Sequence, residues 1–284
     1  MKETGEATVL REWVRAHRAA GRRIGFVPTM GFLHEGHLRL VDEARRRADP
    51  VVMSIFVNPL QFAPTEDLAR YPRDLPRDRA LAAARGVDLL FVPSAAVMYP
   101  PGSETRVVPG EAATRWEGAA RPGHFAGVLT VVAKLFNLVS PDVACFGRKD
   151  IQQATLIAAM VRDLDWPIEV VVVPTVRETD GLALSSRNVY LSAEERGQAL
   201  GLNRALAAAR DAWAAGERRA AALEGTVRAT LRMYPGVAAD YIAVCEPGRM
   251  APVAEAPAGT VIALAARVGS TRLIDNTVLG EEPG

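Results

Sequence analysis

Residues 22–57 read RRIGFVPTMGFLHEGHLRLVDEARRRADPVVMSIFV, and this stretch decides the fold. Ile24 to Val27 is an apolar run of strand length, and Pro28 to Gly36 turns the chain. From about His37 to Arg47, apolar Leu38, Leu40, Val41 and Ala44 fall opposite arginines, which is helical spacing. A second apolar run, Val51 to Val57, follows almost at once, so the stretch reads strand, helix, strand. The alternation continues, with helices expected near Pro76 to Ala84, Val128 to Val139 and Ile151 to Leu164. Strands are expected at Val87 to Val92, Val143 to Phe146 and Ile168 to Val173. Strands this apolar, separated by amphipathic helices, belong to a parallel sheet covered on both faces. The expected class is α/β, opening with a Rossmann-like domain.

After Arg187 the character changes. Ser192-Ala193-Glu194-Glu195 is a capping box that opens an Ala- and Arg-rich helix to about Gly216, and a second helix runs to about Tyr234. Three β-like runs follow, Ala239 to Cys245, Thr260 to Ala266 and Arg272 to Asp275. Helices first and antiparallel strands later imply a smaller α+β C-terminal domain. The division is expected near Val176, giving domains 1–176 and 177–284.

Across 284 residues, 34 basic and 33 acidic side chains leave a net charge of +1, so no global field draws nucleic acid or an anionic membrane. The longest apolar stretches are strand-sized and the N-terminus lacks signal-peptide sections, so a cytoplasmic protein without a membrane partner is expected. Cys145 and Cys245 form no Cys-x-x-Cys pair and are expected to be reduced and buried.

Ligands of an open parallel sheet bind beyond the carboxyl ends of its strands. The loop Pro28 to His37 occupies such a position. His34 and His37 at a helix start add donors to exposed amides and the positive end of the dipole, a combination suited to polyphosphate. The same residues also read as a helix cap and a packing histidine. The loop has neither a Gly-x-Gly-x-x-Gly nor a Gly-Lys-Ser/Thr pattern, which disfavours dinucleotide dehydrogenases and P-loop kinases, and the histidine spacing is not that of His-Glu-x-x-His zinc sites. Asn58 and Gln61 place amides after the second strand, able to orient a polar substrate or to form an ordinary turn. Gly147-Arg148-Lys149-Asp150 puts cations at a helix N-terminus, the unfavourable end for them, a conflict that a bound anion would remove, though the same cations also read as solvated surface charge. Val173 to Asn188, with Ser185, Ser186 and Arg187, supplies phosphate donors, yet as an isolated string it reads as a polar linker. Arg121-Pro122-Gly123-His124-Phe125 can hold a carboxylate or cap a helix.

Taken in order, Pro28 to His37, Val57 to Phe62, Tyr71-Pro72-Arg73, Arg121 to Phe125, Phe146 to Gln153 and Val173 to Asn188 resemble the pantothenate synthetases of the nucleotidyltransferase superfamily. The resemblance implies that ATP and (R)-pantoate form a pantoyl adenylate with release of pyrophosphate. β-Alanine then attacks to give pantothenate and AMP. It also implies Mg2+ and a homodimer. By position, Met30, Gly31, Phe32, Leu33, His34, Glu35, Gly36, His37, Gly147, Arg148, Lys149, Asp150, Val176, Leu184, Ser185, Ser186 and Arg187 would form the ATP site. His34, His37, Lys149 and Arg187 would act on the phosphates. Gln61 and Gln153 would hold pantoate, with Gln61 also near β-alanine, and Asn58, Tyr71, Arg121 and His124 would complete the substrate pocket. Asp78 is the aligned candidate near Mg2+. Phe32, where relatives often have a small residue, and Arg148 depart from the family pattern.

The chemistry agrees with this assignment. Carboxylate attack on the α-phosphorus builds charge on phosphate oxygens, so preorganised cations serve the step and no enzyme nucleophile is needed. The C-terminal domain is expected to act as a lid that keeps water from the mixed anhydride. A rival reading, nucleotidyl transfer to a phosphate, is opposed by Gln61 and Gln153, because a dianionic acceptor would favour added cations. A second rival, a regulatory ATP-binding module without turnover, has no need of paired substrate amides.

Overall fold

The apolar runs of residues 24–57 do form adjacent parallel strands. The computed structural model describes residues 1–64 and 66–281. Its elements begin with β1 (Lys2–Thr4), α1 (Ala7–Ala19), β2 (Gly25–Thr29), α2 (Glu35–Arg47), β3 (Val51–Ile55), α3 (Leu75–Ala84), β4 (Leu89–Phe91) and α4 (Ala95–Met98). They continue with α5 (Glu117–Ala120), α6 (His124–Val139), β5 (Val143–Gly147), α7 (Ile151–Asp163) and β6 (Glu169–Val173). The chain ends in α8 (Ala193–Ala214), α9 (Ala220–Leu231), β7 (Val237–Cys245), β8 (Val261–Val268) and β9 (Thr271–Val278).

The first sheet has the order β1-β4-β3-β2-β5-β6 with every neighbouring pair parallel. From β2 the chain builds outward through β3 and β4 on one side, then returns to lay β5 and β6 on the other. The order therefore switches between β2 and β5, and a ligand crevice is expected outside their carboxyl ends, Thr29 and Gly147. All five residues of β3 are buried, as a strand covered on both faces requires. On one face Leu40, Val41 and Ala44 of α2 pack with Val27, Met53 and Leu90. On the other, Phe136 of α6 meets Phe26 and Phe146 edge-on at 6.3 Å each.

By contacts the chain divides into two compact units that interleave in sequence. The first comprises Met1–Gly110, Arg121–Gly147 and Leu156–Val173; the second comprises Glu111–Ala120, Arg148–Thr155 and the chain from Pro174 onward. In the second unit β7, β8 and β9 form an antiparallel sheet. One face packs Ile262, Leu264 and Val268 against Leu202 and Leu206 of α8 and Leu223 and Val227 of α9. The opposite face packs Ala243, Cys245, Val261, Ala263 and Val278 with Trp116 and Ile151. Both cysteines are buried thiols, and burial pushes each up to about 12. Among the described residues no helix is long and apolar enough to cross a membrane.

Several boundaries differ from the sequence reading for definable reasons. α2 starts at Glu35 because His34 takes the extended N-cap conformation. α6 starts at His124, where Gly123 at φ 82° turns the chain into the helix. β1 and α1 lie before the first expected strand. Lys2-Glu3-Thr4 has no strand pattern and becomes a strand by pairing with β4, whereas Leu10 and Val14 of α1, buried one turn apart, are the signal that was available.

Gly127 of α6 lies where the helix crosses the turn after β3. A Cβ there would sit 2.1 Å from the Leu60 carbonyl oxygen and 2.7 Å from the Gln61 amide nitrogen, both backbone atoms that cannot swing aside. Gly→Ala inside a helix ordinarily stabilises by about 1 kcal/mol. Gly127→Ala is expected to destabilise by about 1–3 kcal/mol through overpacking. Gly225→Ala in α9, where a Cβ meets nothing within 4 Å, is expected to show the ordinary gain. Denaturant unfolding of the two variants checks the opposite signs.

Candidate active site

The histidine loop leaves β2 through two left-handed residues, Gly31 at φ 84° and Phe32 at φ 51°. For Phe32 this conformation is strained and must be held by its surroundings. Asp78 of α3 supplies the hold. Its carboxylate is 1% exposed and accepts from the Phe32 amide at 2.8 Å and the Leu33 amide at 2.7 Å. Burial pushes the Asp78 carboxyl above its ordinary value, with the two amide bonds pulling the other way. Arg77 closes the same turn, donating to the Leu33 carbonyl at 3.0 Å and lying over the Phe32 ring.

The loop thus delivers His34 to the N-cap of α2 and His37 to its first turn. The rings lie 4.0 Å apart, and His37 Nδ1 accepts from the His34 amide at 3.3 Å. An Nδ1 that accepts carries no proton, so the neutral ring bears it on Nε2 and donates from there. Capping and ligand donation are therefore compatible in one residue. Leu33 is wholly buried in the core, and Glu35 is exposed and pairs with Arg85, so these two shape the loop rather than present side chains to a ligand.

Beyond β3, Asn58 is 1% exposed and its amide is committed within the protein. Its Nδ2 donates to Gln61 Oε1 and to the Gly127 carbonyl, both at 3.1 Å, while its Oδ1 accepts from Tyr99 at 2.9 Å. Burial raises the Tyr99 hydroxyl to about 12, which keeps it a donor. The result is an oriented Gln61 whose Nε2, among the described residues, is bonded to the Met30 sulfur alone, at 3.0 Å. A thioether is a weak acceptor, so a ligand oxygen would be the better partner. His124 Nδ1 and Arg121 fix the Gln61 carbonyl at 2.8 and 3.3 Å. Arg121 also grips Glu66 through two bonds, 2.7 and 2.8 Å. A substrate carboxylate at Arg121 would have to share it with Glu66. Tyr71 is buried edge-on to Phe62. Tyr99 and Glu66 belong to no motif and leave no signal in the sequence; only their partners reveal them.

In the second unit, Arg148–Asp150 forms a tight turn into α7. Arg148 is balanced by Glu281 at 2.7 Å, which answers the charge conflict at this helix end for that residue. Lys149 is half-buried and has no carboxylate partner among the described residues. Gln152 is structural: it accepts from the Glu117 amide and donates to the Ala112 and Arg115 carbonyls. Gln153 beside it is half-buried and makes none of these bonds. The 176–188 stretch is ordered rather than a loose linker. The Leu184 amide bonds the Val176 carbonyl, Arg177 bridges to Ala183, and Ser185 caps the Ser186–Tyr190 turn by accepting from the Arg187 amide at 3.2 Å.

A resident metal cage does not emerge. Asp78 commits both oxygens to backbone amides, and no group of three or more His, Cys, Asp or Glu gathers to hold a metal among the described residues.

Asp78→Ala would strand two loop amides in a buried site, a cost of about 1–3 kcal/mol each. It is expected to lower stability by about 2–5 kcal/mol and to weaken ATP binding more than a core truncation of equal cost, as unfolding and calorimetry would measure. For Glu66, burial raises the carboxyl, but the Arg121 bond and charge outweigh it and hold the group below its ordinary 4.5. A depressed folded value means stability that is present above 4.5 and lost as pH falls through the folded pKa. Glu66→Gln is therefore expected to cost about 1 kcal/mol at pH 7, a modest figure for a partly solvated pair. The difference should vanish in acid unfolding series.

Residues 3–278 match the family profile described as Pantoate-beta-alanine ligase. The chain is 59% identical over 268 residues to the pantothenate synthetase of Anaeromyxobacter dehalogenans, covering 92% of each chain. It is 50% identical to that of Trichlorobacter lovleyi over 283 residues, covering both chains completely. Among solved structures, a pantothenate synthetase from Thermus thermophilus superposes with a TM-score of 0.92 at 52% identity, covering 98% of this chain and 99% of the other. A pantoate-β-alanine ligase from Francisella tularensis, complexed with β-γ ATP and β-alanine, gives a TM-score of 0.81 at 34% identity, covering both chains completely. With its parallel sheet, histidine loop and C-terminal α+β unit matched along nearly its whole length, the chain belongs to the pantoate–β-alanine ligase family.

Proposed function

We propose that this chain joins (R)-pantoate to β-alanine with consumption of ATP, through a pantoyl adenylate, releasing pyrophosphate and AMP. The observation that carries the reading is Lys149. It is a half-buried lysine in the turn that leads into α7, without a carboxylate partner among the described residues, in a chain of this family. Such a site calls for an anion.

In the first step a pantoate carboxylate oxygen bonds to the α-phosphorus as the bond to the β-phosphate oxygen breaks. Charge gathers on the phosphate oxygens and on departing pyrophosphate. Lys149, Arg187, the Ser185 and Ser186 hydroxyls and the Nε2–H of His37 are donors suited to that charge. Met30, Gly31, Gly36, Gly147, Asp150, Val176 and Leu184 would complete the nucleotide's surroundings. Gln61, whose side-chain donor meets the Met30 sulfur, and Gln153 would orient pantoate. In the second step the neutral amine of β-alanine attacks the acyl carbon, a C–N bond forms, the acyl–oxygen bond breaks, and AMP leaves with that oxygen. The surplus amine proton passes to solvent or phosphate. A C-terminal lid from about residue 177, excluding water from the anhydride, belongs to the same proposal. So do a cytosolic homodimer and Mg2+, which would ride on phosphates and water rather than on a protein cage.

Because adenylation requires no proton from the protein, His37 acts electrostatically. His37→Ala is expected to lower pantoate-dependent pyrophosphate exchange into ATP by about 10²–10³-fold. His37→Gln, which keeps a donor, should lose about tenfold less; equal losses would contradict the electrostatic role. Absence of any pantoate-dependent exchange in the intact wild type would overturn the proposed reaction.

A further inference from the structure

We infer that Asn276 of β9 is a positioning residue for the Arg148–Asp150 turn, setting the direction in which that turn presents its amides and the Lys149 side chain. The inference rests on the reading above that Lys149 meets phosphate.

Asn276 is 3% exposed, and its Nδ2 donates to the carbonyls of Arg148 and Lys149, both at 2.9 Å. The amide orientation is settled by these partners, because an oxygen in the same place would face two carbonyl oxygens. The helix itself does not need these bonds. Arg148 and Lys149 both precede Ile151, the first residue of α7, so these bonds lie outside the helix's own hydrogen-bond ladder. Nor does Asn276 gain full satisfaction, since its Oδ1 is buried without a hydrogen-bond partner among the described residues. Asn276 thus holds these two peptides while its own oxygen goes without a partner among the described residues.

The use follows from peptide geometry. A peptide unit is planar, with its C=O and N–H opposed. Drawing the Arg148 and Lys149 carbonyls toward Asn276 aims the Lys149 and Asp150 amides the opposite way. Those amides lie at the positive end of α7, where donors to an anion are needed. Two further ion pairs show that β9 organises neighbouring segments of the second unit generally. Asp275, one residue earlier and therefore on the other face of the strand, is 3% exposed and holds Arg177 at 2.8 and 3.0 Å. Arg272, on the Asn276 face, holds Glu117 at 2.7 and 2.8 Å, and the Glu117 amide is bonded by Gln152 of α7. One strand thus fixes the Arg148–Asp150 turn from one face and the start of the 177–188 stretch from the other.

The test is a double-mutant cycle in the full-length enzyme with Asn276→Ala, Asn276→Ser and Lys149→Ala. It is read both in pantoate-dependent pyrophosphate exchange and in ATP Kd. Displacing a catalytic group by about 1 Å can cost about 10²-fold. Asn276→Ala is expected to lower exchange kcat by about 10- to 100-fold with the pantoate KM unchanged. Asn276→Ser, which keeps one donor and is the milder variant should the alanine fail to fold, is expected to fall between. In the Lys149→Ala background either substitution should cost less than about twofold. Losses that simply multiply in an active enzyme, or an Asn276 variant with wild-type kcat and ATP Kd, overturn the role given to Asn276. A wild type without pantoate-dependent exchange overturns the functional reading itself, a distinct result.

Discussion

The carboxylate of Asp78, buried beneath the histidine loop, holds the Phe32 and Leu33 amides and with them a left-handed turn that a non-glycine residue does not adopt unaided. Much of the first unit's site depends on that constraint. Once the turn is held, His34 falls at the N-cap of α2 and His37 one turn inside, where an accepted bond on Nδ1 leaves Nε2 as the donor. Without the clamp, the two histidines would be members of a strained loop with no fixed direction. The fold places the clamp directly, since α3 is the helix that follows β3, the strand beside β2.

The same principle recurs in both units, with buried polar groups used for placement. Around Gln61, Asn58 is almost wholly enclosed and divides its amide among Gln61, Gly127 and Tyr99, leaving Gln61 a single direction. In the second unit, Arg272 is raised well above its ordinary value by Glu117 and Asp240 despite its burial. Tyr241 is pushed up as well, by burial first and then by the Glu117 charge. Such networks add little net stability, because desolvation offsets most of their attraction, yet they fix geometry when every member is bonded. Fixed geometry is what electrostatic catalysis requires, since dipoles already aimed need no reorganisation as charge develops.

The absence of an enzyme nucleophile from the proposed reaction fits this design. Pantoate brings its own carboxylate and β-alanine its own amine, so the protein's task is to orient, to neutralise and to exclude water. Residues suited to that task are imidazoles, amides, hydroxyls and cations on ends of elements, and those are the residues that the loops after β2, β3, β5 and β6 carry.

The amino-acid sequence by itself determined the α/β class, the order of the main strands and helices from β2 onward and the family, because apolar periodicity and local strings such as Pro28 to His37 survive as linear patterns. Ser192 with Glu195 marked the start of α8 for the same reason, being a contact within one turn. What only the tertiary structure decided are pairings between distant positions. Lys2-Glu3-Thr4 is a strand because β4 accepts it, Gln152 rather than Gln153 is the buried structural amide, and Arg121 has Glu66 as its carboxylate. Asp78 and Asn276 belong to this second class. Each sits among other polar residues in an unremarkable string, and its contacts arise only because folding brings backbone groups distant in sequence within hydrogen-bonding distance.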